Sequence, residues 1–166
     1  MDINGIAGCL MSRFREINAK VDHVIDQRWI QFQFASNLNP KEQDLIDDAA
    51  NLLEKEGYIK IEQRMGLICL VLTQKGFDAI YDNDKDKIIK KIKSEILGKF
   101  AENKSRVGHG LDQRWIQLTY MRTLNPVEQN YLIDAINSLE SDGYVEIKQN
   151  GMFIMLLTEK GFNTIY

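Results

Sequence analysis

A tandem repeat constrains the fold of this chain more than any other feature of its sequence. The segment Asp26–Gln31 recurs as Asp112–Gln117, 86 residues later, and both copies finish on Ile-Tyr, at Tyr81 and Tyr166. About half of the aligned positions are identical in the two copies. A repeat of this length is a whole small domain rather than one element of a solenoid.

The repeat divides the chain into two predicted domains, residues 1–81 and 82–166. The linker, residues 82–86, is short and charged and contains neither Pro nor Gly. Because its acidic residues suit a helix start, we expect it to run directly into the first helix of the second copy. We therefore predict a coupled, pseudo-symmetric pair of domains rather than two loosely tethered ones.

The composition is that of a globular protein. Of the 166 residues, 44% are hydrophobic, which is enough to form a core, and the net charge is −3. Cys9 and Cys69 have no cysteine at the matching position of the other copy, so we expect neither a disulfide framework nor a zinc site. No apolar run approaches the ~20 residues of a membrane span. We expect a soluble cytoplasmic protein.

Each copy contains one helix whose start and end can be read from the sequence. In the first copy Asn39 is the expected N-cap, Pro40 occupies the first helical position and Gly57 ends the helix. The second copy repeats this pattern over residues 125–143. The positions predicted to be buried are Leu45, Ile46, Ala49, Ala50 and Leu53, and Tyr131, Leu132, Ala135, Ile136 and Leu139.

Other elements flank this helix. Apolar residues three and four positions apart predict a first helix over residues 2–17, with a counterpart near residues 89–100. A short strand is expected over 21–25 and over 107–111. After the capped helix, an alternating strand turns at Gly66 or Gly151 and returns as the second arm of a hairpin.

Residues 27–36 carry the most ambiguous pattern. Apolar residues alternate with glutamines over 30–34, as in a strand, whereas Trp29 and Phe32 have helical spacing. We favour a helix, because Asp26 is a suitable N-cap and a tight turn into the next helix follows.

Two short motifs carry a resemblance to a known family. Leu53–Ile59 follows the pattern Leu-x-x-x-Gly-Tyr-Ile, and Leu139–Val145 matches it with Val at the last position; Leu72–Gly76 and Leu157–Gly161 follow Leu-Thr-x-Lys-Gly. In these motifs and in the order of its elements, the chain resembles the winged helix-turn-helix superfamily of MarR-like and PadR-like regulators. The resemblance implies an α+β, mainly helical fold of two tandem winged-helix domains, and a third helix that enters the DNA major groove.

The outward face of the third helix departs from that family pattern. It carries carboxylates in both copies, and carboxylates repel a DNA duplex. The alternatives are a solvated surface and a surface for a protein partner, and we favour a non-enzymatic regulatory module that binds another protein. The candidate interaction residues are Asp44, Asp47, Asp48, Asn51, Asn130, Asp134 and Asn137.

Lysines at the start of the second copy support an alternative, a DNA-binding transcriptional regulator that uses its wings and basic linker helix. A solvated helix face is the simpler explanation of this run, since acidic residues lie among the lysines. The candidate nucleic-acid contacts are Arg64, Lys87, Lys90, Lys91 and Lys93.

No motif indicates an enzyme: the sequence has no nucleophile elbow, phosphate loop or His-Glu zinc helix. His23 and His109 repeat without other metal ligands beside them, and we interpret them as structural. We also interpret Trp29 and Trp115, each preceded by an arginine, as core residues rather than base-stacking residues. We predict no catalytic, cofactor or metal site, and the sequence makes no prediction about a homo-oligomer.

Overall fold

The computed structural model describes residues 1–166, with every side chain except that of Asn150. The protein is of the α+β class and mainly helical, as predicted, and it contains two three-stranded antiparallel sheets. It folds as two compact units, Met1–Asp82 and Asn83–Tyr166. None of the described helices combines the length and the apolar character needed to cross a membrane.

Unit 1 contains five helices, two helical turns and a sheet in which the strands lie in the order β1-β3-β2. The helices are α1 (Ile3–Glu16), α2 (Gln27–Trp29), α3 (Pro40–Gln43), α4 (Ile46–Lys55) and α5 (Gln74–Ile80). The strands are β1 (Val24–Asp26), β2 (Ile59–Arg64) and β3 (Leu67–Leu72). A π-helical turn (Ile30–Phe34) and a 3₁₀ turn (Ala35–Asn37) follow α2.

Unit 2 follows the same order, with one continuous helix in place of α3 and α4, no separate counterpart of α2, and a sheet in the order β4-β6-β5. Its helices are α6 (Lys85–Glu102), α7 (Pro126–Ser141) and α8 (Glu159–Ile165). Its strands are β4 (Gly110–Asp112), β5 (Val145–Asn150) and β6 (Met152–Leu157). A π-helical turn (Trp115–Tyr120) and a 3₁₀ turn (Met121–Thr123) precede α7.

Equivalent positions of the repeat form the core of each unit. The first helix contributes Ile6, Leu10 and Phe14 in unit 1 and Ile92, Ile96 and Phe100 in unit 2, all fully buried. Against them lie the buried residues of α4 in unit 1 and of α7 in unit 2, and the first helix also contacts α5 or α8. Because each such side chain contributes about 1.5–3 kcal/mol when buried, these helix–helix contacts hold the unit together.

The predicted boundaries of the third helix are confirmed in both units. The Asn39 side chain accepts a hydrogen bond from the backbone of Glu42, and the Glu42 carboxylate accepts one from the backbone of Asn39. Asn125 and Glu128 form the same capping box. The helix is followed in each unit by a glycine in the left-handed region, with φ of +80° at Gly57.

Residues 27–36 are helical, as we favoured, but the helix changes register twice. Asp26 caps its start by accepting a hydrogen bond from the Trp29 N–H at 3.0 Å. In the π-helical turn the backbone bonds join residues five apart, so Trp29 and Phe34 stack with ring centroids 5.4 Å apart. Trp115 and Tyr120 stack in the same way in unit 2.

Three details of the sequence-based prediction were wrong. The third helix of unit 1 is interrupted at residues 44–45, whereas α7 is continuous. Three aspartates at positions i, i+3 and i+4, namely Asp44, Asp47 and Asp48, repel one another in a continuous helix, and α7 lacks this triad. The short strands begin at residues 24 and 110, later than predicted, because left-handed residues Asp22 (φ +67°) and Gly108 (φ +81°) make a turn first.

The third error is an omission, since helices α5 and α8 were not predicted. Both begin directly after the hairpin, where Thr73 and Thr158 act as N-caps and each accepts a hydrogen bond from a glycine N–H at 3.0 Å. A threonine in this position is a helix-start signal.

Candidate protein-interaction face

The acidic face of unit 1 is exposed and uncompensated. Asp44, Asp47, Asp48 and Asn51 all have exposed side chains on the helix corner formed by α3 and α4. Among the residues that the structure describes, none of the three aspartates forms an ion pair. This surface therefore presents three negative charges to solvent.

The matching face of unit 2 is different. Asn130 and Ile133 stand where unit 1 has Asp44 and Asp47, and Asn137 is exposed. The remaining carboxylate, Asp134, is neutralised within its own unit, because Lys85 Nζ lies 2.9 Å from its Oδ2. The two faces were equivalent candidates in the sequence, but only the face of unit 1 keeps its charge.

Several lysines of the basic run of the second copy form ion pairs within their own unit. Helix α6 packs along α7, and Lys93 pairs with Asp142 and lies 2.9 Å from Ser138 Oγ. The hydrogen bond from Lys93 lowers the pKa of the Asp142 carboxyl. Lys91 Nζ lies 2.6 Å from Oε1 of Glu128, and this bond raises the pKa of Lys91. The lysines and carboxylates of unit 2 therefore neutralise one another.

Glu128 is the buried member of this network. Its side chain closes the capping box at Asn125 and accepts the Lys91 hydrogen bond, and the residue is only 7% exposed. A buried carboxylate is stable only when a cation or several hydrogen bonds compensate its lost hydration. Lys91 is therefore a structural partner of Glu128.

The remaining candidate nucleic-acid contacts are dispersed. Arg64 forms an ion pair with Glu62 on its own strand, at 2.8 Å. Lys87 and Lys90 are exposed on α6. Three of the five candidates, Arg64, Lys91 and Lys93, thus already have carboxylate partners.

Several residues that repeat in the two copies have structural roles that the sequence did not reveal. The side-chain oxygen of Gln27 accepts a hydrogen bond from the Ile68 N–H at 3.1 Å, where β3 extends beyond β1, and Gln113 does the same for Phe153. These glutamines cover open strand edges. Gln43 donates to the carbonyls of Ala35, which begins the preceding 3₁₀ turn, and of Leu38, which follows it, and Gln129 makes the equivalent bonds in unit 2.

The Leu-Thr-x-Lys-Gly motif also forms internal contacts. The Thr73 hydroxyl lies 2.7 Å from the Gly57 carbonyl. Lys75 donates to the Glu56 carbonyl at 2.6 Å, at the end of α4, and its ammonium group lies 4.6 Å from the centroid of the Tyr58 ring. Unit 2 repeats all three contacts. The motif therefore joins the hairpin to the third helix.

The tryptophans are half-buried, and their cationic neighbour is not the preceding arginine. The guanidinium of Arg13, on α1, lies 5.0 Å from the centroid of Trp29, whereas Arg28 is exposed. Lys99 takes the equivalent place over Trp115, at 6.0 Å. His23 and His109 both have exposed side chains.

Alkaline pH should destabilise unit 2 through Tyr120. Burial and a 2.7 Å hydrogen bond to Glu95 raise the pKa of its phenol far above the ordinary value. A raised pKa stabilises the fold below pH ~10, and this contribution is lost as the pH rises further, by about 1.4 kcal/mol per pH unit. In a Trp29→Phe background, we expect the free energy of unfolding of unit 2, followed by Trp115 fluorescence in urea, to fall more steeply above pH ~10 with Tyr120 than with Tyr120→Phe. Equal slopes would contradict this assignment.

The acidic face of unit 1 is the one set of sequence-predicted site residues that is both grouped and unpaired in the described part of the chain. The predicted nucleic-acid contacts are not grouped in this way. Comparison of the chain with protein-family models, with curated proteins and with solved structures finds no match in any of the three.

Proposed function

We propose that each unit is a winged helix and that the chain is a non-enzymatic regulatory module that binds a protein partner through the acidic face of unit 1. The order of elements supports the first part: a helix, a short strand, two further helical segments and a hairpin. The interaction residues are Asp44, Asp47, Asp48 and Asn51.

The observation that carries the proposal is the difference between the two faces. In unit 2 the one carboxylate of the face, Asp134, pairs with Lys85 of α6, whereas the matching Asp48 of unit 1 forms no ion pair in the described part of the chain. The acidic residues of unit 1 thus keep a local negative potential, which attracts a basic protein surface and speeds its association.

The same charges argue against DNA as the partner of this face. Phosphates repel carboxylates, and DNA affinity depends on cations that replace condensed counterions. Because Lys91 and Lys93 are held by carboxylates of their own unit, a phosphate contact would have to compete with these ion pairs.

We expect the variant Asp47→Lys/Asp48→Lys to lose affinity for the partner. Proteins retained by the immobilised wild-type chain would be identified by mass spectrometry, and the purified partner would then be titrated by calorimetry. Reversal of two charges in the interface should raise Kd at least about tenfold. The reversed face should also show a weaker salt dependence of association.

The matched control is Glu56→Lys/Glu159→Lys, which makes the same change in net charge at exposed positions outside the face. This control should bind as the wild type does. Equal Kd values for all three proteins would refute the proposed face. Binding of random duplex DNA that weakens steeply between ~50 and ~200 mM salt would favour the DNA-binding alternative.

A further inference from the structure

A groove lies beside the acidic face of unit 1. Its volume is about 410 Å³, within the range of sites that bind ligands or a few side chains. Its apolar lining comes mainly from the π-helical turn, from α4 and from the hairpin, and includes Ile30, Ile46, Ala50, Ile61, Ile68 and Leu70. The groove thus has three walls of regular structure.

The groove presents both apolar surface and charge. Ile68 is 50% exposed although it lies on a strand that is otherwise mostly buried. Asp47 and Asn51, two residues of the acidic face, line the same groove. A ligand that fits this site therefore needs an apolar group for the isoleucines and a cation for Asp47.

Unit 2 has a groove in the equivalent place, of about 610 Å³. Gln113, Ile136 and Asn137 match Gln27, Ala50 and Asn51 of the first groove. One difference is decisive: Ile133, which is 63% exposed, replaces Asp47. None of the residues described in the lining of this second groove is charged.

We propose that the unit 1 groove binds a short peptide segment of the partner that carries aliphatic side chains next to a Lys or Arg. The aliphatic side chains pack against Ile68 and its neighbours, and the cation pairs with Asp47. This inference rests on the proposed function and adds the chemistry of the bound segment. The uncharged groove of unit 2 is the internal comparison, because its apolar surface offers the cation no partner.

Three fluorescein-labelled peptides test the proposal. They share the same leucines at positions i, i+3, i+4 and i+7, and they differ only in carrying Lys, Gln or Glu at the positions between. Fluorescence anisotropy with the 166-residue chain at ~150 mM salt should show the Lys peptide binding about tenfold more tightly than the Glu peptide. Ile68→Thr keeps a strand-forming residue but removes apolar surface, and should weaken all three peptides about fivefold.

The decisive variant is Asp47→Ile, which gives unit 1 the residue that unit 2 carries. It should bring the affinities of the Lys and Glu peptides to within about twofold of each other while the Gln peptide still binds. The reciprocal variant Ile133→Asp should increase the preference for the Lys peptide. Thermal unfolding of each variant would verify that these exposed positions leave the fold intact.

Three results would overturn the groove proposal: no binding of any peptide, no preference for the Lys peptide, or a preference that survives Asp47→Ile. Each is distinct from failure of the proposed function. If the partner loses affinity on charge reversal but the peptides do not bind, the acidic face stands and the groove does not. If the peptides bind with an Asp47-dependent preference while charge reversal leaves the partner unaffected, the groove stands and the partner assignment falls.

Discussion

Gly76→Ala should destabilise unit 1 by about 3 kcal/mol or more, among the largest effects of any single substitution in this chain. A Cβ atom at this position would lie 2.0 Å from the Tyr58 carbonyl oxygen and 2.8 Å from Cδ1 of Leu72. The carbonyl cannot move away, because it accepts hydrogen bonds from the Thr73 N–H and hydroxyl. Gly161 is equally close to Tyr144 in unit 2, at 2.2 Å.

The chain offers its own reporter and control for this experiment. It has one tryptophan in each unit, so in a Trp115→Phe background the fluorescence of Trp29 follows unfolding of unit 1 in urea. The control is Gly8→Ala in α1, where an added Cβ meets no atom within 4 Å and alanine favours the helix. We expect this control to stabilise unit 1 by up to about 1 kcal/mol. If Gly76→Ala destabilises unit 1 by less than Gly8→Ala stabilises it, position 76 does not make the tight contact with the Tyr58 carbonyl.

The parts of the fold that depend on local chemistry could be predicted from the sequence. An N-cap such as Asn39, a helix-ending glycine such as Gly57 and a hairpin turn at Gly66 each act within a few residues, so their signals are intact in a single sequence. The repeat strengthened these predictions, because each signal occurs twice. Helices α5 and α8 begin at the same kind of local signal, the N-cap residues Thr73 and Thr158.

The π-helical turns could not be predicted in this way. An α-helix and a π-helix differ by one residue in hydrogen-bond register, and the apolar spacing over 29–34 fits a helix of either kind. The side-chain contacts that favour the π-helical turn are visible only in the structure. The turn stacks Trp29 on Phe34, and Trp115 on Tyr120, beneath a cation from the first helix of the unit.

The difference in charge between the two faces could not be predicted from the sequence either, because ion pairs join residues far apart in sequence. Lys85 and Asp134 lie on different helices, 49 positions apart in the sequence, and no periodicity connects them. A comparison of the copies would have given a partial signal. Lysines appear in the first helix of the second copy where the first copy has small uncharged residues, and they match the acids of the facing helix.

Lys91→Met should destabilise unit 2 by about 2 kcal/mol. Removal of the ammonium group leaves the Glu128 carboxylate, only 7% exposed, without its cation. Loss of one partner of a fully buried pair costs about 3–5 kcal/mol, and we expect less here because water reaches the half-exposed Lys91 side chain. The control is Lys90→Met, an exposed neighbour on α6, which should change stability by less than about 0.5 kcal/mol.

Addition of Glu128→Gln to Lys91→Met removes the uncompensated charge and should restore about half of the lost stability. Unfolding of unit 2 would be followed by Trp115 fluorescence in a Trp29→Phe background. Equal stability of the Lys90 and Lys91 variants would mean that Lys91 is a solvated surface residue, free to contact a phosphate. A cost confined to Lys91 would instead assign it to the fold and remove it from any DNA-binding surface, so the acidic face of unit 1 would remain the better-supported interaction site.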